Sequence, residues 1–195
     1  MIPQTKPAFI NSTKSLPVKE PTDEEFECFR KLVLAELGLK WGGDKKYLLH
    51  ARLQRRLQYL KLSTFRDYYD YLQNQNNGGE LQQLYNAVTT TKSGFYREKQ
   101  HFEFLRQEIF PEMKEEMIRK RKKIRFWSAG CAYGEEAFNL AIEAHDFLGT
   151  KLTSGGGLRI LASDVNTAVL ESAEKGQYTV EQLSPVPVEF RNRYF

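Results

Sequence analysis

IRFWSAGCAYGEE, residues Ile124 to Glu136, decides the fold: a short apolar strand runs into a glycine-containing turn and leads to two carboxylates, Glu135 and Glu136, at the start of the next helix. A strand, a glycine turn and a helix in this order ordinarily build a dinucleotide site, where the free N–H groups of the helix N-terminus hold a pyrophosphate. Carboxylates in the first helical turn repel that group. A nucleotide-like ligand that carries positive charge fits instead. S-adenosyl-L-methionine, with a sulfonium, an ammonium and no phosphate, meets that description, and Gly130 in the turn lets such a ligand come close to the backbone.

The second half of the signal lies at Leu158 to Ala162, LRILA, which reads as another strand closing at Ser163-Asp164. An acidic residue at the end of the second strand of a βαβ unit is where ribose hydroxyls are held. Between the strands, Ala137 to Leu148 has the apolar spacing of an amphipathic helix, with Phe138, Ala141, Ile142 and Phe147 available for burial and Gly149 at the C-cap position. The distance from Glu136 to Asp164 exceeds the usual spacing of about 20 residues, and the polar insert KLTSGGG after Thr150 accounts for the excess. Taken singly, these features have ordinary explanations. Glu135 and Glu136 complement a helix dipole, and Asp164 could cap the following helix. Their combination favours a ligand site.

Composition narrows the class. The chain has 195 residues, 41% of them hydrophobic and 13% aromatic, enough for one large or two small domains with a real core. Cys28 and Cys131 do not form a disulfide framework, and His50, His101 and His145 show no metal-ligand spacing, so no metal is expected and a reducing, cytoplasmic setting fits. No apolar run reaches the roughly 18 residues that span a bilayer, and the start of the chain has no signal-peptide core, so membrane insertion is not expected. The net charge is +4. The basic run RKRKK, Arg119 to Lys123, reads as a solvated linker, with an acidic partner as the alternative. It lacks the aromatic interleaving or groove-reading motif of a nucleic-acid binder.

Along the chain, residues 1–21 contain Pro3, Pro7, Pro17 and Pro21 with little apolar periodicity and read as a disordered lead-in. Thr22 and Glu25 form a capping box for a helix carrying Phe26, Phe29, Val33 and Leu37 and ending at Gly38. Further helices are expected at about 44–61, 64–73, 79–90 and 98–110, with Pro111 marking a break or a new start. The domain boundary lies between about 90 and 123. GLKWGGDKK at 38–46 fails as a phosphate loop because Asp44 stands where the lysine belongs. On the helix at 44–61, Lys45, Arg52, Arg55 and Arg56 fall within an arc of about 100°, beside an apolar stripe of Leu49, Leu53, Leu57 and Leu60. Such a face can rest on a core and offer guanidinium forks to carboxylates.

From Thr22 to Phe195 the chain resembles the CheR-type chemotaxis receptor methyltransferases. The resemblance is carried by KKYLLHARLQRRLQYLKLSTFRDYYDYL (45–72), VTTTKSGFYREKQHF (88–102), IRFWSAGCAYGEEAFNLAI (124–142), LRILASDVNTAVLESAEKGQY (158–178) and RNRYF (191–195). It implies an α/β protein: a small all-helical N-terminal domain at 22–90, a linker and helix at 91–123, and part of a Rossmann-like methyltransferase domain at 124–195. It also implies S-adenosyl-L-methionine as donor, S-adenosyl-L-homocysteine as product and glutamate side chains of methyl-accepting chemotaxis receptor cytoplasmic domains as substrate. The family pattern TTNxTxFFRE falls on Thr89 to Glu98 and implies cofactor contacts from Thr91, Ser93 and Arg97. Arg97 matches, Ser93 keeps a hydroxyl, and Thr91 lacks the family's amide. WSAxCSTGEEP matches at Glu135 and Glu136, with Ala137 in place of proline and Ala132-Tyr133 in place of Ser-Thr. Asp164 matches the ribose-binding Asp, and the basic helix matches the receptor-docking face. The family's domain runs on well past the RYF block, so the chain reads as a fragment or a shortened form whose open sheet edge invites a dimer or domain swap.

Methyl transfer from a sulfonium to a carboxylate needs no general base, because a glutamate of pKa near 4.3 is already ionised at neutral pH. Alignment and exclusion of water remain, and Arg97 is assigned a positioning role through its fork. Its structural alternative is an ion pair with Glu98 or Asp164. The competing function is a non-catalytic module that binds S-adenosyl-L-methionine or acidic receptor helices without turnover.

Overall fold

The computed structural model describes residues 18–74, 79–121, 123–154 and 157–195, and these divide into two compact units after Val88.

The first unit is all helical: α1 (Asp23–Leu37), a 3-10 turn (Gly43–Lys45), α2 (Lys46–Tyr59), α3 (Phe65–Asn74) and α4 (Gly79–Val88). The capping box forms as expected, with Glu25 N–H donating to Thr22 Oγ1 at 3.2 Å and Thr22 N–H donating to Glu25 Oε2 at 2.7 Å. The other oxygen of Glu25 accepts from Arg66 N–H at 2.7 Å, so one side chain fixes the starts of α1 and α3 together. Gly38 ends α1 in the left-handed region, which a glycine enters without Cβ strain. Phe29, Leu49, Leu53, Leu57, Phe65, Tyr68 and Leu84 are fully sealed in the core, with Tyr68 stacked on Phe29 at 6.0 Å between ring centroids. The expected lead-in lies outside the described residues up to Pro17. From Val18 to Pro21 it is ordered: Val18 packs on this core, Pro21 is buried, and Lys19 N–H donates to Ser63 O at 3.2 Å.

The second unit opens with a long helical rod: α5 (Lys99–Phe104), a π turn (Leu105–Ile109) and α6 (Phe110–Lys120). Of the break or new start expected at Pro111, the structure shows the new start. Pro111 sits in the first turn of α6, and the wider π turn just before it absorbs the i−4 carbonyl conflict that would otherwise stop a helix there. Of RKRKK, Arg119 and Lys120 form the end of that helix and pair with Glu115 and Glu116 one turn back, so the expected linker begins as helix.

The sheet comprises two parallel strands among the described residues, β1 (Ile124–Ala129) and β2 (Leu158–Ser163), in register Ile124↔Leu158 to Ala129↔Ser163. Between them lie α7 (Glu135–Leu148) and, overlapping the start of the polar insert, the short α8 (Thr150–Thr153). α9 (Thr167–Lys175) and α10 (Val188–Tyr194) follow. The apolar stripe of α7 is wider than expected. Leu140, Ile142, Ala144 and Leu148 are buried, whereas Phe138, Ala141 and Phe147 are half-covered. The helix is covered on two sides, by Phe110, Ile124 and Met117 in one cluster and by Phe95, Val186 and Phe190 in the other.

Candidate functional site

Where β1 ends, the chain makes a tight turn that only particular residues tolerate. Gly130 and Gly134 have φ of +74° and +90°, and Ala132 between them adopts +48° although it carries a Cβ. Such a conformation costs a non-glycine residue about 1–2 kcal/mol, and Asp164 offsets it: its Oδ2 accepts from Ala132 N–H at 2.9 Å while Oδ1 accepts from Asn166 N–H at 2.8 Å. Gly130 and Cys131 N–H both donate to Ser163 O. Asp164 therefore ties the two strand ends together, and the cap of α9 is Asn166, whose side chain accepts from Val169 N–H. The Cys131 thiol is raised above its ordinary value by burial and by the Asp164 charge, so it stays protonated here.

Beside this turn lies a cleft of about 320 Å³, lined by Lys92, Ser93, Arg97, Gly130 and Glu136 among the polar and turn residues, with Phe102, Leu105 and Leu140 as apolar walls. Of the acidic pair, Glu136 faces this cleft and accepts from Ser128 Oγ at 2.6 Å. Glu135 is 3% exposed and accepts from Ser93 Oγ at 2.6 Å. A carboxylate so deeply placed requires a hydrogen-bond donor, which the Ser93 hydroxyl supplies, and its place in the first turn of α7 complements the helix dipole. Ser93 and Glu135 also border a shallower pocket of about 370 Å³ that includes Thr91. Tyr178 closes the turn from outside by donating to Tyr133 O at 2.7 Å, and burial, then the Glu135 charge, pushes its hydroxyl above the usual tyrosine value.

Arg97 enters the cleft on a strained loop. Tyr96 and Glu98, on either side, both adopt φ of +53°. Arg97 Nη1 donates to Lys92 O at 2.8 Å, and the ion pair with Glu98 or Asp164 considered from sequence is not formed. The loop is held from below: Tyr96 donates to Glu143 Oε1 at 2.8 Å, and Arg106 donates to Glu143 Oε2 at 2.9 Å and to Asp146 Oδ2 at 2.7 Å. Burial, then the bond to Glu143, raises the Tyr96 hydroxyl above its ordinary value. The π turn presents Leu105 to the cleft and Arg106 to this pair of carboxylates.

Ser93, Arg97, Gly130 and Glu136 thus come together, as the motifs expect. Glu135 forms the wall behind them, Thr91 lies on the adjoining pocket, and Asp164 borders neither space. Lys92, Glu98, His101 and Asn139 line the cleft without having been singled out from sequence. The spacing held a clue for Asn139, three residues after Glu136 and so on the same helix face.

Residues 24–89 match the family described as CheR methyltransferase, all-alpha domain, and residues 91–195 match the CheR methyltransferase, SAM binding domain. The chain belongs to the CheR methyltransferase family. Chemotaxis protein methyltransferase 2 of Pseudomonas aeruginosa is 32% identical over 174 residues, covering 89% of this chain and 59% of its own length. The chemotaxis protein methyltransferases of Escherichia coli and Salmonella typhimurium are 32% and 33% identical over the same number of residues, with 57% of each covered. The chain therefore spans under three fifths of the length of these curated relatives.

In the all-alpha unit of this CheR-family chain, the four basic residues expected on one docking face divide by role. Arg56 makes a fork to buried Glu80, with Nε to Oε1 at 2.9 Å and Nη2 to Oε2 at 2.5 Å, and Tyr68 donates to the same carboxylate at 2.7 Å. Arg52 donates to Val88 O. Lys45 pairs with Asp44 at 3.5 Å, and Arg55 is exposed beside exposed Tyr59. Arg52 and Arg56, expected to offer their forks outward, both bind within the unit: Arg56 because buried Glu80 demands a donor, Arg52 on the Val88 carbonyl.

Proposed function

We propose that the second unit holds S-adenosyl-L-methionine at the carboxyl ends of β1 and β2, for methylation of glutamate side chains on chemotaxis receptor cytoplasmic domains. The observation that carries this reading is the convergence of Ser93, Arg97, Gly130 and Glu136 on one cleft beside the β1 turn, where ligands of open α/β sheets bind. The charge set fits this cofactor and not a phosphate. The first turn of α7 already carries Glu135 and Glu136, while Lys92 and Arg97 bring cations to the cleft, so an ammonium and a carboxylate both find partners. When bound, the cofactor supplies an electrophilic methyl group on a positively charged sulfur.

The chain's own residues hold and orient. Glu136 attracts positive charge, Ser93 keeps Glu135 in place, Asp164 fixes the turn and is the candidate for the ribose, and Thr91 extends the polar rim. Arg97 offers a planar fork to a carboxylate, that of the cofactor or that of the incoming glutamate. The glutamate arrives ionised and needs no base. Docking of acidic receptor helices rests on the exposed side of α2 around Arg55 and Lys45, with a receptor's cytoplasmic domain placing the protein in the cytoplasm. Among the described residues no helix is long and apolar enough to cross a membrane. The outer sheet edges, unpaired among the described residues, support self-association by edge pairing, which light scattering showing only monomer at high concentration would exclude.

Isothermal titration with S-adenosyl-L-homocysteine and with NAD tests the cofactor: uptake of the first alone is expected, and preference for NAD overturns the reading. A radiolabelled transfer assay with receptor cytoplasmic domain tests turnover. Glutamyl methyl ester that disappears in Arg97→Ala and Asp164→Ala supports the enzyme, whereas binding with no transfer supports a module that binds without turnover.

A further inference from the structure

Asn139 is 1% exposed on α7 and borders the cleft, yet neither its amide nitrogen nor its carbonyl oxygen has a hydrogen-bond partner. Leaving both ends of a buried amide unsatisfied is costly, and native proteins do so rarely. Apolar packing alone gives no reason for it. Leu140, next along α7 and also on the cleft wall, shows that an aliphatic side chain is accommodated there. An amide that folding leaves unsatisfied at the edge of a ligand cleft is explained if the ligand completes it.

The chemistry around it states which part of a ligand this is. Lys92 and Arg97 bring positive charge to the cleft, Glu98 and Glu136 bring negative charge, and Phe102 and Leu105 form an apolar wall. Two opposite charges on one carbon that also bears a short apolar stem describe a zwitterionic α-amino acid. Asp164, at the second strand end where a ribose is held, lies off this cleft, which leaves the cleft to the other end of the molecule.

Resting on the cofactor reading above, we infer that Asn139 turns toward the cleft on binding and grips the amino-acid end of the cofactor, its NH2 donating to the carboxylate and its carbonyl accepting from the ammonium. Asn139 is then a specificity residue that separates ligands bearing the amino-acid group from those lacking it.

The test compares the parent chain with Asn139→Ala and Asn139→Leu by titration with S-adenosyl-L-homocysteine and with methylthioadenosine, which has the nucleoside and sulfur but no amino acid. Expected is a loss of about 10-fold to 100-fold for the homocysteine compound, the size of a hydrogen bond to a charged group, with methylthioadenosine affinity unchanged. Ligand-free melting temperatures should be equal to or above the parent's, because no native bond is removed. Parent-like affinity for S-adenosyl-L-homocysteine in both variants overturns the inference and leaves the cofactor reading standing. A parallel loss for both ligands with lowered melting temperatures makes Asn139 a structural residue and overturns it too. If the parent itself ignores S-adenosyl-L-homocysteine, the cofactor reading falls and this inference with it.

Discussion

Arg55 and Arg56 are neighbours in sequence, share a charge and belong to the same expected docking face, yet their replacement by alanine should have different consequences. Arg56→Ala strands Glu80, which is 7% exposed, leaving it, among the described residues, the Tyr68 hydroxyl. Breaking a buried pair costs about 3–5 kcal/mol when the surviving charge is sealed from water. The Arg56 side chain is 28% exposed, so water can follow it in part, and the lower figure of about 2–3 kcal/mol is expected. For a unit this small the urea slope is about 1 kcal/mol per molar, so the midpoint should fall by about 2–3 M. Arg55→Ala removes no internal partner and should shift it by less than about 0.5 kcal/mol, while weakening capture of receptor cytoplasmic domain. Arg56→Lys keeps the charge but loses the fork and should fall between. Trp41, which stacks on Phe26 at 6.4 Å between ring centroids, reports this unit by fluorescence once Trp127→Phe silences the other tryptophan. Equal midpoints for Arg55→Ala and Arg56→Ala would refute the assignment of Arg56 to the core.

Other expectations concern the second unit. Ser93→Ala removes the hydroxyl that donates to buried Glu135, so melting should report a loss of about 1–3 kcal/mol and calorimetry a weaker hold on S-adenosyl-L-homocysteine; parent-like values for both would show that this bond does not hold the wall. Gly134→Ala introduces a Cβ at φ +90° and 3.0 Å from the Ala173 Cβ, a strain of about 1–3 kcal/mol, and an unchanged melting temperature would contradict the turn geometry. Burial and Glu143 raise the Tyr96 hydroxyl, and burial and Glu135 raise that of Tyr178. With the folded value above the unfolded one near 10, their contribution is complete below about pH 10 and is lost as pH climbs past it. Melting of the second unit should therefore decline above about pH 10, and Tyr96→Phe should make that decline shallower; a decline identical to the parent's would remove Tyr96 from the explanation.

The sequence by itself determined the helices of the first unit and the order β1, α7, β2 in the second, but not the course of α6 beyond Pro111, nor α8 and α10. Thr22 with Glu25 and Gly38 bounds α1, LRILA and IRFWSA are strands, and the glycine turn followed by Glu135 and Glu136 marks the carboxyl end of β1 and the start of α7, because caps, turns and periodicity act over a few residues and are written locally. The motifs also pointed to Ser93, Arg97, Gly130 and Glu136, which the fold brings onto one cleft. Tertiary structure alone decided how those residues share the work. Whether Arg56 faces a partner or Glu80 depends on α4, 24 residues away in sequence. Whether Asp164 is wholly available to a ribose or holds Ala132 depends on the crossing of two loops. Helix α6 starts at Phe110 with Pro111 in its first turn, directly after a π turn, and Asn139 stands out because neither end of its buried amide meets a partner. Hydrogen-bond partners of buried groups are chosen by packing between distant segments, and no local pattern of residues encodes that choice.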